Sequence, residues 1–502
     1  MTFISIASGQ VVSGGTVTSG QKEIVHFGGL IIDTLVSGPK AALLILEGGV
    51  ASGTTLSNGN LTVNAGGILS GAVVAKGGVV YLAGSGSDIV VSRGGFLDIA
   101  SGANVAGLTN DGGSVFHEAA LSGQTVSGDV AEGRAAYQTV QVGGSAIGTR
   151  FVAGGGQVVS GVAVGTVMKG GVKFGALQTV ISGGRARGTA LYSGAGIQVV
   201  YGGTATGTTI GSGANGSVYF GGRMSLTEVR NGGTESVGTG GTAVFATVDS
   251  GGMIVFAGGI VVGLTVLRGG KEAIGNGTAM TDLKVPVGVT LLVSSGGTAI
   301  GAVIDQSSLE QDRGLASNTT VLSGGTEAVR TGGIATGTTV SGGGAVTVYG
   351  GGLVDGIVVS SGGGITVSAG AIAGDIVLSG GTETVQTGAH LVGTTQFAGP
   401  ALLSATAKTA LALRVAGFGA ADRIDLTGFG NGAGLKHSFV ENKSKTQGIL
   451  TLTEGGRTAR ITLFGQYVAA GFNFASDGHG GTVVTYAAPH SGAAQLTAAH
   501  GA

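Results

Sequence analysis

The sequence has no cysteine, no tryptophan, only 4 prolines in 502 residues, and few aromatic side chains (5%). Each absence excludes a class of protein. Without cysteine there is no disulfide framework, no thiolate metal site and no thiol nucleophile. The same absence suits large exported bacterial proteins and many cytosolic proteins alike. Sparse aromatics leave nothing to stack on single-stranded nucleic acid. Charged residues are 10% of the chain and the net charge is -1, so no basic face for nucleic acid is expected. No apolar run approaches the roughly 18 residues of a membrane-spanning helix, and the longest block is Ala41 to Leu46. Residues Met1 to Gln10 lack a basic segment followed by an apolar one, so no Sec-type signal peptide is recognised.

Glycine is abundant instead. Its 108 residues are about three times the usual share. There is no Gly-x-y triplet, which excludes collagen. Apolar residues are 42% of the chain, which excludes a disordered linker. The apolar residues come as short Val, Ile, Leu and Ala clusters, the habit of strands.

The glycines are spaced regularly. Gly183-Gly184, Gly202-Gly203 and Gly221-Gly222 are evenly separated, as are Gly232-Gly233, Gly251-Gly252 and Gly269-Gly270. Gly324-Gly325 with Gly343-Gly344, and Gly332-Gly333 with Gly351-Gly352, keep the rhythm. The period is roughly 19 residues, within the range of solenoids. Between glycine turns lie four- to six-residue stretches of alternating β-branched residues, such as Val346 and Val348. Strands this short bury no core alone, but stacked coils bury a continuous one. The fold expected is all-β: a single-stranded parallel β-solenoid (β-helix) over residues 1–398, with about 20 coils and a length of roughly 100 Å. Residues 40–47, 103–140 and 272–320 lose the rhythm and are read as coils with longer outward loops, the last including Pro286 and the polar run Asp305 to Arg313. Residues 399–486 read as a β-rich C-terminal cap, because an uncapped solenoid exposes an open strand edge. Residues 487–502 read as a disordered tail.

The unit Gly202 to Ile210 (Gly-Gly-Thr-Ala-Thr-Gly-Thr-Thr-Ile), repeated at Gly332 to Val340, resembles the strand-loop-strand passenger repeat of AIDA-type bacterial autotransporter adhesins. Asp422-Arg-Ile-Asp-Leu426, Gly465-Gln-Tyr467 and Ser476 to Thr482 resemble the C-terminal ending of many proteobacterial repeat proteins. The resemblance implies a surface-exposed or extracellular protein of a Gram-negative bacterium. Neither a signal peptide nor a C-terminal membrane barrel is recognised, so export through a dedicated channel, with the C-terminal segment as signal, is expected, and a truncated gene is the competing explanation.

The residues themselves point to no catalytic group, cofactor or metal. The 7 histidines form no pair with ligand spacing. Gly84-Ser-Gly-Ser-Asp88-Ile stands alone, whereas a calcium roll needs tandem copies. Asp477 reads as an Asx turn. Lys76-Gly-Gly and Lys169-Gly-Gly lack the context of a phosphate loop. Polysaccharide-active β-helix enzymes need clustered carboxylates on one face. Glu228 with Glu235, or Glu327 with Glu383, could stack, but the recurring Gly-Gly-Thr-Glu reads as a solvent position. The repeated hydroxyls Thr204, Thr206, Thr208, Thr209, Thr336, Thr338 and Thr339 read as a structural ladder. They are also a candidate contact face, and the family resemblance implies that such hydroxyls can be O-glycosylated. The function expected is adhesion, autoaggregation or biofilm cohesion through many weak contacts. The partners would be host-cell or abiotic surfaces, glycans or other copies of the chain, with bacterial export machinery for transit. The alternatives are a structural surface spacer and, after it, a polysaccharide-active enzyme.

Overall fold

A computed structural model describes residues 2–131, 137–152, 154–170, 175–406 and 408–488. The expected tail falls almost wholly outside the described residues. The chain forms two compact units, Met1–Ile254 with Gly259–Thr265, and Val255–Gly258 with Val266–Ala502. Both are β-solenoids, with about 22 coils in all and almost no helix.

One coil of the first unit shows how the repeat folds. A long strand, Ala195–Val199, leads through Gly202-Gly203 into a three-residue strand, Thr204–Thr206, and then a two-residue strand, Thr209–Ile210. Each strand pairs in parallel with its counterpart one coil away. Because strands alternate in and out, each sheet sends one apolar track inward. Val180, Val199, Val218 and Val237 form the track of the long strands. Ala186, Ala205, Met224 and Ala243 form the second, and Leu191, Ile210, Val229 and Val248 the third. All are nearly fully buried. Each contributes about 1 to 3 kcal/mol of burial, so adjacent coils hold each other in place.

The glycine pair has two separate causes. Gly183 has φ +76°, which only glycine adopts without strain. A Cβ on Gly184 would collide with the carbonyl of Val159 in the coil below. Gly364, on the strand Gly364–Val367, has no atom within 4 Å of a built Cβ. Gly184→Ala is therefore expected to cost about 2–3 kcal/mol, whereas Gly364→Ala should be neutral or stabilising by less than about 1 kcal/mol. Comparing the thermal melts of the two variants checks this.

The first unit begins with three sheets of seven, six and six strands. They end near Ser114–His117, and a new set starts at Ala119–Ala120 and Thr125–Ser127. This break is where the sequence lost its rhythm, and residues 132–136 there lie outside the described set. Two other expected loops are absent. Ala42–Ile45 is an ordinary long strand between Lys22–Val25 and Asn60–Val63. Lys271–Ile274, Thr290–Val293 and Leu309–Asp312 stack in the same way. Only the glycine was lost, because Lys40, Asp282, Ser307 and Asn318 take the left-handed turn conformation themselves (φ 65°, 54°, 59° and 56°). The short polar side chains of Asp282, Ser307 and Asn318 tolerate that region better than most, whereas Lys40 has no such advantage.

In the second unit, coil-type pairing runs past residue 398. Leu402–Thr406 stacks on Thr382–Val385, and Arg423–Thr427 stacks on Leu402–Thr406. The composition changes at Pro400 because the connections lengthen, one of them through a 3-10 turn at Thr409–Ala412. The pairing then turns antiparallel. Thr482–Tyr486 closes the edge of Arg423–Thr427, and Lys436–Glu441, Gln447–Glu454 and Arg457–Phe464 form a meander. Phe439, Tyr467, Phe472 and Tyr486 fill the end of the core. The last parallel long strand thus meets an antiparallel partner rather than an open edge. Of the resembled ending, Tyr467 belongs to this aromatic core. Asp422 accepts from Ala401 N and Gly419 N at 3.2 and 2.7 Å. Asp477 forms the expected Asx turn, accepting from His479 N and Gly481 N at 2.6 and 2.7 Å.

Candidate functional site

The seven threonines divide between two environments. Thr204 and Thr209 are half-buried on the outside and Thr206 is exposed, while Thr208 is 1% exposed and faces the core. In the later copy Thr336 is half-buried, Thr339 is exposed and Thr338 is fully buried. Thr208 and Thr338 therefore drop out of any contact or glycosylation face. In Gly-Thr-Thr the first threonine turns inward and only the second turns out. The outer hydroxyls link coils. Thr204 Oγ1 donates to Gly184 O at 3.3 Å, and Thr206 and Ser225 share a hydrogen bond of 3.1 Å.

A longer outer row escaped the sequence reading. Thr347, Thr366, Thr384 and Ser404 are consecutive register partners on the long strands of the second unit, all half-buried on the outer face. Neighbouring hydroxyls in such a row stand about 4.8 Å apart. The recurring Thr-Val ending at 347–348, 366–367 and 384–385 was its signal. The same unit carries an open groove of about 440 Å³ lined by Thr387, Thr406, Lys408, Thr427, Arg457 and Thr458. Hydroxyls with two cations suit a polyhydroxylated or acidic ligand.

The interior holds a second polar system. Gln138, Gln157 and Gln178 occupy one inward position on successive long strands. Gln157 Nε2 donates to Gln138 Oε1 at 2.7 Å, and Gln178 Nε2 donates to Gln157 Oε1 at 2.6 Å. Thr149, Thr166 and Thr189, the inward threonines of their coils, donate to the three glutamine oxygens at 3.2, 3.1 and 2.9 Å. Gln138 Nε2 donates to the buried Asp129 at 2.7 Å, and Asp129 also contacts His117 Nδ1 at 2.8 Å.

Glutamates take the same inward position elsewhere. Glu235, Glu310, Glu327 and Glu383 are fully buried and Glu272 is 3% exposed. Gly-Gly-Thr-Glu is thus an inward position, not a solvent one. In Thr326-Glu-Ala-Val329 the glutamate shares its side with the core valine two residues on. Glu228 lies outside, paired with Arg230 at 2.9 Å, and does not stack with Glu235. The polar run Asp305 to Arg313 is likewise no loop, since it carries Glu310 and Asp312 into the core. Burial pushes the Glu235, Glu272 and Glu383 carboxyls up to about 7. Thr395 Oγ1 donates to Glu383 at 2.7 Å and offsets part of that rise. Glu310 and Asp312 are raised well above the ordinary range by burial and by neighbouring carboxylates.

The sequence matches no protein-family model and no curated protein. Among solved structures, it is similar to a crystal structure of a TibC-catalysed hyper-glycosylated fragment of TibA. The identity is 25%, over 76% of this chain and 98% of that chain, with a TM-score of 0.24.

Proposed function

We propose that this protein is an extracellular or cell-surface adhesin that acts in attachment, autoaggregation or biofilm cohesion. The observation that carries the reading is the outer row Thr347, Thr366, Thr384 and Ser404, four hydroxyl side chains in register on successive coils. A repeated weak contact on a fixed spacing gains avidity without any strong single site. Of the carboxylates considered for a polysaccharide-active enzyme, Glu235, Glu327 and Glu383 are turned into the core, where a polymer cannot reach them, and Glu228 is left alone outside in an ion pair with Arg230, which favours a binding role over a catalytic one. Glycans, abiotic surfaces and other copies of the chain are the partners proposed, with export machinery reading the C-terminal segment.

The test is binding of the full chain to a glycan panel and to coated surfaces, beside a variant carrying Thr347→Val, Thr366→Val and Thr384→Val, with Ser404 kept because its Oγ donates to Asp425 at 3.1 Å. Binding that falls about tenfold or more in the variant, with an unchanged melt, is the expected result. Self-association with no binding to any surface would favour the structural spacer instead.

A further inference from the structure

Three carboxylates meet inside the second unit. Glu310 and Asp312 lie two residues apart on Leu309–Asp312 and face the same side. Glu327 is the register partner of Glu310 on the next coil. One oxygen of each lies within 4.8 Å of the other two, and all three side chains are fully buried.

Ordinary partners are missing. Both oxygens of Glu310, both of Asp312, and Oε2 of Glu327 have no hydrogen-bond donor. Among the described residues one hydrogen bond is made to the group, from Thr338 Oγ1 to Glu327 Oε1 at 3.3 Å. Among the described residues no Lys, Arg or His pairs with them. A separate observation points to a ligand. The Thr319 hydroxyl is fully buried, lies beside Glu310 and is itself unpartnered. At several equivalent places in other coils the inward threonine donates to the inward glutamine or glutamate, although Thr227 beside Glu235 does not. At Thr319 that bond is not made, which leaves its oxygen free to act as a ligand beside the carboxylates.

Three like charges this close cannot all stay ionised in a closed core. A lone buried glutamate such as Glu235 becomes neutral by keeping one proton. The trio needs either several protons or one cation. We propose that Glu310, Asp312 and Glu327 hold a hard divalent cation inside the solenoid, Ca²⁺ before Mg²⁺, with the Thr319 hydroxyl as a further ligand. The donor set is all oxygen, which excludes the thiolate and imidazole preferences of zinc and copper. Ca²⁺ accepts irregular oxygen shells, whereas Mg²⁺ demands an octahedron and keeps waters that a packed core has little room for. Since the site is closed on both sides by coils, the ion enters as the chain folds.

The experiment is to unfold the full chain in chelator, refold it with Ca²⁺, with Mg²⁺ or with EDTA, desalt it, and measure retained metal and the thermal melt. Retention of about one ion per chain, with a melt raised by several degrees over the EDTA sample, is expected. Glu310→Gln with Asp312→Asn and Glu327→Gln should lose both the retained ion and the metal-dependent shift. The metal content of the unmodified chain stands even if that variant fails to fold. No retained ion from either salt, with the melt identical in EDTA, would overturn the proposal and leave the trio held by protons.

Discussion

Raising the pH from about 4.5 to 8 is expected to destabilise this protein, the reverse of the usual behaviour of carboxylates. Glu235, Glu272 and Glu383 sit in the core with their carboxyls pushed from 4.5 up to about 7. Burial is the leading cause at each, with no charged neighbour contributing. The folded state therefore holds these protons more tightly than the unfolded chain does. Below pH 4.5 both states are protonated and the stabilisation is fully present. Between 4.5 and about 7 the unfolded chain ionises while the core stays neutral, and stability falls. Above about 7 the loss is complete, at about 3 kcal/mol for each group. The triple variant Glu235→Gln, Glu272→Gln and Glu383→Gln keeps the shape and removes the ionisation. Its melt should match the parent near pH 4.5 and lie well above it at pH 8, and contributions from other carboxyls cancel in the comparison. A parent melt that rises with pH, or a variant with the same slope, would refute this account.

Breaking the glutamine ladder at its middle is expected to cost at least as much as any one of those ionisations. Gln157→Leu removes the acceptor of Gln178 Nε2 and of Thr166 Oγ1, and one donor to Gln138 Oε1. Orphaned buried groups cost about 1–3 kcal/mol apiece, so a loss of about 3–5 kcal/mol is predicted. Gln198→Leu, on the half-buried outer side of the next long strand, should change stability by less than about 0.5 kcal/mol. Adding Gln178→Leu to Gln157→Leu should cost less than the sum of the singles, because one change already orphans the other's partner. Additive losses, or a silent Gln157→Leu, would mean the ladder is not a connected unit.

The two predictions share one structural fact, that a position two residues from a core valine is a core position whatever occupies it. Thr326-Glu-Ala-Val329 and Thr382-Glu-Thr-Val385 carry this in their alternation, yet the polarity of Glu327 and Glu383 suggested solvent. Periodicity was the better guide than polarity, because a one-residue slip would turn Val329 and Val385 outward. Thr347, Thr366 and Thr384 of the outer row could likewise have been found by following the residue before each inward valine, whereas Ser404 precedes Ala405 and is placed there by register.

The sequence alone determined the coil. Glycine pairs on a fixed period can only be turns, β-branched runs too short to fold alone can only stack, and a chain so poor in cysteine, aromatics and charge has few other ways to bury its apolar side chains. Tertiary structure decided the rest. The turns at Asp282 and Asn318 survive without glycine because the neighbouring coil holds their backbone, with Asp282 N donating to Ile300 O and Asn318 N to Thr336 O at 2.8 Å each. Thr208 and Thr338 turn inward, away from the threonines beside them, at the corner where Gly207 and Gly337 (φ 67° each) bend the chain into its short strand. Glu310, Asp312 and Glu327 converge because parallel register sets residue 310 against residue 327. Register is a long-range property fixed by the coil above and the coil below, and no single repeat contains it.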